Sequence, residues 1–316
     1  MLNLFTIAIL FSGMLCTSMA KADQSSWMDR LDDATLITRI SIPGTHDSAA
    51  TGERCGTAAI YCHTQTYSFT DQLSKGIRFF DIRIANKDGD LEFHHNIYDL
   101  DINFKDAINS VKEFLSAHPS EFVIFLIKQE TWTGDDSLSS DEFWELVNKQ
   151  MDDFPELFWV DRRVHTVAAA RGKIIIMGRD ESTHPQGFHV EWEDNTVHDE
   201  GHDGELKYVV EDHWSLSRVG TETKFAEIVQ NLYLAGLCVN SCSNPKTLFI
   251  TFLSGTAVKR AGYTPKHYAD YENPHTANWL HDHPGPRPGI VAMDFGGDSE
   301  YHGDELIEEV IKQNFD

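Results

Sequence analysis

Two histidines and several charged residues follow the apolar runs of this chain, and side chains of these types can transfer protons and bind anions. His46 and Asp47 come after the run LITRISI, and His95 ends the segment LEFHH. In IRFFDIRI, Asp81 and Arg83 are two residues apart and therefore share one face of a strand. Taken alone, the stretch GTHDS is typical of a helix N-terminus, because threonine, aspartate and serine suit the N-cap position.

More charged residues stand at the ends of other apolar runs. Lys128 and Glu130 follow FVIFLI, Arg179 follows KIIIMG, Asp212 follows YVVE, and Asp294 ends GIVAMD. Any one of them is typical of an ordinary ion pair. The carboxyl ends of parallel strands meet at one edge of a barrel, however, and active sites are assembled there. We therefore expect these residues to lie together with the two histidines.

This set of side chains indicates a chemistry. Two histidines, each oriented by a carboxylate, can serve as a general base and a general acid, and arginine and lysine suit the charge of a phosphate. The chain has no Gly-rich loop ending in Lys-Ser/Thr, no HExxH and no GxSxG. Nucleotide hydrolases with a P-loop, zincins and serine hydrolases are therefore disfavoured. The residues favour cleavage of a phosphodiester by paired histidines.

The elements that would position these residues alternate between strands and helices. Apolar, β-branched runs predict strands over residues 36–42, 77–84, 91–95, 122–127, 173–178, 208–211, 247–253 and 289–294. Helical spacing of apolar residues follows Asn103, a capping box formed by Ser139 and Glu142, and Asp304. The pattern predicts an α/β fold, a distorted or incomplete (β/α)8 TIM barrel in a single domain.

The acidic segment WEDNTVHDEGHDGE, residues 192–205, allows two interpretations. His198 and His202 are four apart among carboxylates, which suits a metal site on a helix. Gly201 and Gly204 disfavour that helix, so we expect a solvated loop. Whether this segment binds a metal stays open.

Charge and the first residues restrict where the protein works. The chain of 316 residues carries 50 acidic and 26 basic side chains, a net charge of -24, so its average field repels nucleic acids. The short apolar stretch MLNLFTIAILFSGMLCTSMA, followed by Lys-Ala-Asp, predicts a signal peptide over residues 1–22 and a secreted mature chain over 23–316. Four cysteines then remain, and we expect the local disulfides Cys55–Cys62 and Cys238–Cys242.

Several motifs, in order, resemble those of a known family. The stretches SIPGTHDSAA, GIRFFDIRI, LEFHHNIY, EFVIFLIKQE, RGKIIIMGR, EWEDNT, SGTAVKRAGYTPKHYADYENPHTAN and GIVAMDF are similar to those of the bacterial phosphatidylinositol-specific phospholipases C, relatives of the X domain. The resemblance spans essentially the whole mature chain. It implies a distorted barrel that cleaves phosphatidylinositol by attack of the inositol 2-hydroxyl on phosphorus. The products would be diacylglycerol and inositol 1,2-cyclic phosphate, which is then slowly hydrolysed.

The resemblance also implies roles for the residues at the strand ends. His46 would be the general base, oriented by Asp294, and His95 would be the general acid, assisted by Asp47. Arg83 would stabilise the charge on the phosphate oxygens, and Asp81 would help to position this network. The substrate-binding residues would be Lys128, Glu130, Arg179, Asp212, Trp214 and Trp192.

Two departures from the family pattern bear on the site. Trp214 stands where a tyrosine is usual, so it can stack on the sugar ring but offers no hydroxyl. Lys128 and Arg83 stand where calcium-dependent members place carboxylates, and two cations do not bind Ca²⁺. We therefore expect no metal and no other cofactor.

Two loops are candidates for contact with a membrane surface. The loop from Cys55 to Cys62 presents Ile60 and Tyr61, and the segment TAVKRAGY presents Val258, Lys259 and Arg260. Apolar tips with local cations suit shallow, peripheral insertion into an anionic bilayer, although an ordinary loop explains them equally well.

Two other functions are compatible with such a barrel. One is a metal-dependent glycerophosphodiester phosphodiesterase, which requires a carboxylate cluster at the strand ends. The other is an inositide-binding protein without turnover. The sequence leaves open whether the target is phosphatidylinositol, a glycosyl-phosphatidylinositol anchor or a scavenged inositide. A monomer is expected.

Overall fold

The computed structural model describes residues 24–56, 59–130, 138–179, 186–217, 219–241, 243–257, 259 and 261–315. The strands in chain order are β1 (Ile42–Thr45), β2 (Phe79–Lys87), β3 (Asp90–His95), β4 (Tyr98–Asn103), β5 (Val123–Gln129), β6 (Phe158–Trp159), β7 (Ile174–Gly178), β8 (Phe188–His189), β9 (Asp199–Asp203), β10 (Leu206–Glu211), β11 (Thr247–Phe252) and β12 (Ile290–Met293).

Helices connect most of these strands. They are α1 (Ala59–Cys62), α2 (Phe69–Ser74), α3 (Phe104–Ala117), α4 (Ser140–Met151), α5 (Val167–Ala170), α6 (Thr221–Ser241), α7 (Pro265–Asp282) and α8 (Gly303–Lys312). Short 3₁₀ segments cover Gln24–Arg30, Ile37–Arg39 and Ser299–Tyr301. No helix among the described residues has the length and apolar character to cross a membrane.

One sheet curls into an incomplete barrel. Within the described parts of the chain its strands follow the order β6-β7-β5-β2-β1-β12-β11-β10-β9. Neighbouring strands along this path are parallel except β9, which is antiparallel to β10. Parallel neighbours require long crossovers, which the helices supply. The fold is thus the single-domain, distorted α/β barrel that the sequence predicts.

The strands of this sheet form the core. Burial on both faces explains their nearly continuous apolar sequences: β1, β7, β11 and β12 are buried at every position. Because the central strands are parallel, their carboxyl ends lie along one edge, and the polar residues that follow each strand meet there.

The open side of the barrel is bridged by the segment between β8 and β10. The hydroxyl of Tyr208 accepts the N–H of Glu191 at 3.0 Å and donates to its carbonyl at 2.8 Å. The N–H of His189 donates to Asp203 at 2.9 Å. These bonds join β8 to the β9–β10 hairpin where no backbone ladder connects them among the described residues.

The helix predictions are confirmed. Asn103 caps α3, and Ser139 and Glu142 form a capping box at α4. On α8 the predicted apolar face is buried, namely Leu306, Ile307, Val310 and Ile311. These signals are local and strong, since a cap satisfies backbone N–H groups that the helix itself leaves unpaired.

One prediction of local structure is wrong, and one alternative does not hold. Residues 36–42 were expected to form one strand, but Ile37–Arg39 is a 3₁₀ turn and the strand starts at Ile42. The apolar residues there report burial rather than strand geometry, because Ile37, Ile40 and Ile42 are all buried. Residues 46–55 form turns and no helix, so GTHDS does not act as a helix cap.

The acidic segment 192–205 is also not simply a solvated loop, since it contains strand β9. The glycine that disfavoured a helix has a structural reason: a Cβ on Gly201 would lie 2.2 Å from the hydroxyl of Tyr208. The phenol ring therefore occupies the space over Gly201. Glu200 pairs with Lys207 across the hairpin at 2.6 Å. It also pairs with His198, two residues earlier in the chain, at 3.4 Å.

A carboxyl group is buried on the inner face of α7. Glu272 is fully buried, and neither of its carboxyl oxygens has a hydrogen-bond partner among the described residues. Burial raises the pKa of Glu272 to about 9, with the charge of Lys224 opposing the shift. The folded chain therefore keeps a proton here that the unfolded chain loses above its ordinary pKa of 4.5.

Replacing Glu272 by glutamine is expected to flatten the pH dependence of stability. Between about pH 4.5 and 9 the folded state binds the extra proton, so the free energy of unfolding of the wild type falls as pH rises. One bound proton changes the free energy of unfolding by about 1.4 kcal/mol per pH unit. From pH 5.5 to 7.5, the free energy of unfolding of Glu272→Gln should therefore fall by about 3 kcal/mol less than that of the wild type. Urea unfolding at both pH values measures this. The exposed Glu113→Gln serves as the control, and equal slopes for Glu272→Gln and wild type would refute the assignment.

Candidate active site

The first histidine follows β1 directly. Thr45 pairs with Met293 of β12, so His46 and Asp294 leave neighbouring strands side by side. Nδ1 of His46 lies 2.8 Å from Oδ1 of Asp294, and the carboxyl group is only 2% exposed. With Nδ1–H donating to this carboxylate, Nε2 is the nitrogen left to accept a proton. Burial raises the pKa of Asp294, and the charge of His46 opposes the shift.

Asp47 faces away from its neighbour. Its backbone is in the left-handed region, with a φ of 43°, which turns its side chain toward the β2–β3 hairpin. Its N–H donates to Oδ2 of Asp81 at 3.0 Å, and its own carboxylate bonds Nδ1 of His95. Burial alone would raise the pKa of Asp47, but the charges of His95 and Arg83 outweigh it and lower the pKa to about 2.

His95 reaches this place because β3 returns antiparallel to β2. Leu91 and Phe93 on the same face are buried, and they fix the strand against the core. Burial opposes protonation of His95, but the charge and hydrogen bond of Asp47 are stronger and raise its pKa. His95 therefore holds its proton more firmly than a free histidine.

Arg83 lines the same cleft as His46 and His95. Its Nε and Nη2 each lie 3.0 Å from Oδ2 of Asp81, and Nη1 lies 3.7 Å from Glu130. Burial disfavours the charge on Arg83, but Asp81 and Asp47 more than compensate and raise its pKa. The guanidinium is thus held rigidly, with 17% of the side chain exposed. In this position it can donate hydrogen bonds to an anion in the cleft.

A second group of charged residues forms the opposite wall. Arg179 bonds Oδ2 of Asp212 at 3.1 Å and covers the ring of Trp192, with its Cζ 4.0 Å from the ring centroid. The indole N–H of Trp192 donates to the same Oδ2 at 2.9 Å. Burial and the nearby charges of Arg83 and Arg179 lower the pKa of Lys128. Burial raises the pKa of Glu130.

Trp214 stands at the rim of this wall. Its indole N–H donates to Oδ1 of Asp194 at 3.1 Å, and 36% of the residue is exposed. The N–H of Ser215 donates to Asn195 at 2.5 Å. Asp194 therefore holds the indole, which remains partly exposed and lines the cleft.

These walls enclose one cleft of about 220 Å³. Of the predicted residues, Asp47, Asp81 and Trp192 lie behind its surface, and most of the others line it. The lining residues are His46, Tyr61, Thr64, Arg83, His95, Asn96, Lys128, Glu130, Arg179, Asp194, Asp212, Trp214, Ser254, Gly255, Thr256, Pro265 and Asp294.

Several lining residues were not predicted as site residues. Thr64, Asn96, Ser254 and Thr256 lie outside the named helices and strands, where hydroxyls and amides are common and no spacing rule marks them. Asp194 had a signal, because it belongs to the EWEDNT motif. Its contact with Trp214 places it in the site.

The rim loops are only partly described. Cys55 and Cys62 form the expected disulfide, which closes the loop before α2. Ile60 is 58% exposed, whereas Tyr61 lines the cleft. Lys259 is exposed. Val258, Arg260 and Cys242, the predicted partner of Cys238, lie outside the described residues, as do residues 1–22.

The described residues contain no cluster of three or more side chains that could hold a metal ion. Arg83 and Lys128 both line the cleft and are paired in register on the neighbouring strands β2 and β5. Their positive charges suit an anion, and neither side chain is a ligand for Ca²⁺.

Fold and site together define a class: a distorted (β/α) barrel whose polar cleft, at the carboxyl ends of the strands, carries two histidine–carboxylate pairs and an arginine. Residues 40–180 match the family model described as phosphatidylinositol-specific phospholipase C, X domain. Over these residues the chain is similar to that family.

Individual relatives agree with this match over nearly the whole chain. The chain is 26% identical over 309 residues to a 1-phosphatidylinositol phosphodiesterase of Staphylococcus aureus (strain Newman), covering 94% of this chain and 96% of that protein. It is 27% identical over 304 residues to the protein of the same name from Listeria monocytogenes, covering 91% and 84%. A solved double mutant of the S. aureus phosphatidylinositol-specific phospholipase C superposes with a TM-score of 0.82 at 25% identity, covering 92% and 97%.

Proposed function

We propose that this protein is a phosphatidylinositol-specific phospholipase C that cleaves its substrate without a metal ion. The observation that carries the proposal is the pair of histidine–carboxylate contacts, His46 with Asp294 and His95 with Asp47, in one cleft with Arg83. Two imidazoles with separate carboxylates allow one to accept a proton while the other donates one.

His46 begins the reaction. Its Nε2 accepts the proton of the inositol 2-hydroxyl while that oxygen forms a bond to phosphorus. The imidazolium that results is stabilised by Asp294, which is held by burial and by Asn273, whose side chain donates to its backbone carbonyl at 3.0 Å. A rigid carboxylate keeps Nε2 pointed at the substrate, so little reorganisation is needed.

His95 completes the reaction. As the bond between phosphorus and the glycerol oxygen breaks, His95 donates its proton to that oxygen, and diacylglycerol leaves with inositol 1,2-cyclic phosphate remaining. After this step the imidazole of His46 is protonated and that of His95 is neutral. Slow attack of water on the cyclic phosphate, with the two histidines in exchanged roles, returns both to their starting states and gives inositol 1-phosphate.

Arg83 stabilises the charge that develops on the non-bridging phosphate oxygens. Asp81 and Glu130 anchor it from behind, so its guanidinium does not need to be ordered during the reaction. This fixed positive charge supplies the electrostatic help that Ca²⁺ gives elsewhere, which is why we propose metal independence.

The second wall binds the inositol ring. Lys128, Glu130, Arg179 and Asp212 offer donors and acceptors to the ring hydroxyls, and Trp214 offers a flat apolar face. Trp192 supports Arg179 and Asp212 from behind rather than meeting the ligand. These contacts bind the inositol ring in the cleft that contains His46.

The protein would act as a secreted, monomeric enzyme bound peripherally to a membrane surface. Its candidate contacts are Ile60, with its exposed side chain, and the segment around Lys259. Phosphatidylinositol is the proposed substrate, and glycosyl-phosphatidylinositol anchors carry the same inositol phosphodiester. Vesicle flotation with and without Ile60→Ser tests the membrane contact.

Release of diacylglycerol from phosphatidylinositol vesicles in excess EDTA tests the activity. The proposal expects full turnover in EDTA. Activity that returns only with added divalent cation would favour a metal-dependent glycerophosphodiester phosphodiesterase. Vesicle binding without any release, in EDTA or with cation, would favour an inositide-binding protein.

The substitution Asp47→Asn is expected to shift the alkaline limb of the pH–rate profile to lower pH. His95 must be protonated to act as an acid, and Asp47 raises its pKa. Removing the carboxylate charge lowers that pKa, so activity is lost earlier as pH rises, on top of a rate reduced by about 10²-fold.

The profile of kcat/KM against pH measures this shift on the residual activity. Asp294→Asn is the matched control, because it removes a carboxylate from the other histidine and should leave the alkaline limb in place. An unchanged alkaline limb in Asp47→Asn would contradict the role of His95.

A further inference from the structure

Asp212 and Trp214 stand on a short segment between β10 and α6, and their sequence neighbours Glu211 and His213 point away from the cleft. Each of these neighbours is held by α6. Glu211 is fully buried and His213 is half-buried, so both contacts lie behind the ring-binding wall.

The first contact is a buried ion pair. Nζ of Lys224 lies 2.7 Å from Oε1 and 2.9 Å from Oε2 of Glu211, and both side chains are 0% exposed. Oε1 also accepts the backbone N–H of His213 at 3.0 Å. One carboxylate therefore ties α6 to the backbone on the far side of Asp212.

In the second contact, Nδ1 of His213 lies 2.7 Å from Oε2 of Glu227. Lys224 and Glu227 are three residues apart in the first turns of α6 and so lie on one helical face. Helix α6 thus contacts the side chains of both Glu211 and His213.

A stability role alone does not explain this arrangement. A buried ion pair adds little net stability, because the cost of removing two charges from water offsets their attraction, and an apolar pair would serve as well. What the two contacts do provide is a defined position for the residue between them and for the one that follows. Asp212 then meets Arg179 and Trp192, and Trp214 meets Asp194.

We propose that Lys224 and Glu227 are positioning residues for substrate binding, acting through Glu211 and His213 to hold Asp212 and Trp214 at the inositol ring. This inference rests on the proposed function, since it assigns the wall to the ring of a phosphatidylinositol. Interactions of this wall are present in both the ground state and the transition state, so their loss raises KM and leaves kcat nearly unchanged.

The test uses four variants of the mature protein and a water-soluble short-chain phosphatidylinositol. Lys224→Met and Glu227→Leu remove the two contacts, and each should raise KM about tenfold with kcat within about twofold of wild type. Glu227→Gln keeps an acceptor for the imidazole N–H, so it should restore a KM near the wild-type value. A merely structural role predicts no such recovery.

Arg78→Met is the matched control for Lys224→Met. Arg78 and Glu121 form another fully buried ion pair, with 2.8 Å between Nη2 and Oε2, at the amino ends of β2 and β5. Its loss should lower the thermal unfolding midpoint without raising KM. If KM rises equally in Arg78→Met and Lys224→Met, or stays unchanged in both Lys224→Met and Glu227→Leu, the proposal is overturned.

Binding of free myo-inositol, followed by saturation-transfer NMR, separates this proposal from the proposed function. Weaker binding in Glu227→Leu than in Glu227→Gln supports the positioning role even if the wild type fails to cleave the lipid. Wild-type cleavage combined with equal inositol binding by both variants rejects the positioning role and leaves the proposed function intact. Glu227→Leu carries the test if Lys224→Met does not fold.

Discussion

Replacing His46 by alanine is expected to lower kcat for phosphatidylinositol cleavage by about 10²- to 10⁴-fold, the range that general acid–base catalysis contributes. The loss is large because His46 is the imidazole in the cleft that Asp294 orients. Asp294→Asn should lower kcat by a smaller factor, since the imidazole of His46 remains and only its orientation is weakened. Single-turnover rates with vesicles measure both.

His198→Ala is the control for this prediction. His198 contacts Glu200 on the β9–β10 hairpin and does not line the cleft. The kcat of His198→Ala should match that of the wild type. A His46→Ala enzyme that kept a tenth of the wild-type kcat would contradict the assignment of the base.

Replacing Arg83 by glutamine should lower kcat by about 10²- to 10³-fold, the cost of removing one hydrogen-bond donor to a developing anion. Glutamine cannot supply the charge, and it leaves the buried carboxylates of Asp81 and Glu130 without their partner. Arg83→Lys should recover only part of the rate, because an ammonium does not reproduce the paired contacts of the guanidinium.

The matched control is Arg54→Gln, which removes an exposed arginine that pairs with Asp101. Unfolding curves distinguish loss of catalysis from loss of fold in Arg83→Gln. Millimolar Ca²⁺ should not restore this variant. Full rescue by Ca²⁺ would mean that a metal, and not Arg83, carries the charge stabilisation.

Sequence reasoning predicted much of the framework because the signals were local or periodic. The caps of α3 and α4 and the buried face of α8 follow from helix geometry alone. Buried parallel strands leave continuous apolar runs, and polar residues that end such runs meet at one edge. That rule predicts that His46, Asp81, Arg83 and Asp294 lie together at this edge.

The parts that failed depend on contacts between distant residues. Residues 36–42 are buried against the rest of the core, and burial gives the same apolar pattern in a 3₁₀ turn as in a strand. Strand β9 exists because β10 offers an edge and Gly201 leaves space for the ring of Tyr208. Neither condition is visible in the acidic segment itself.

The site was predictable in its chemistry but not in its pairings. Residue types suggested two histidines with carboxylates, while the pairing of Asp47 with His95, and not with its neighbour His46, depends on the positive φ at Asp47. The resemblance to a family supplied that pairing, since no spacing rule does. The contacts of Lys224 and Glu227 behind the wall carry no sequence signal of their own.

Phosphorus NMR of phosphatidylinositol vesicles incubated with the mature protein in EDTA, with His46→Ala in parallel, follows the proposed reaction itself. The wild type alone should produce the signal of inositol 1,2-cyclic phosphate, followed slowly by that of inositol 1-phosphate. A first product that is already the open monophosphate, or a cyclic signal that appears only after Ca²⁺ is added, would contradict the proposed reaction.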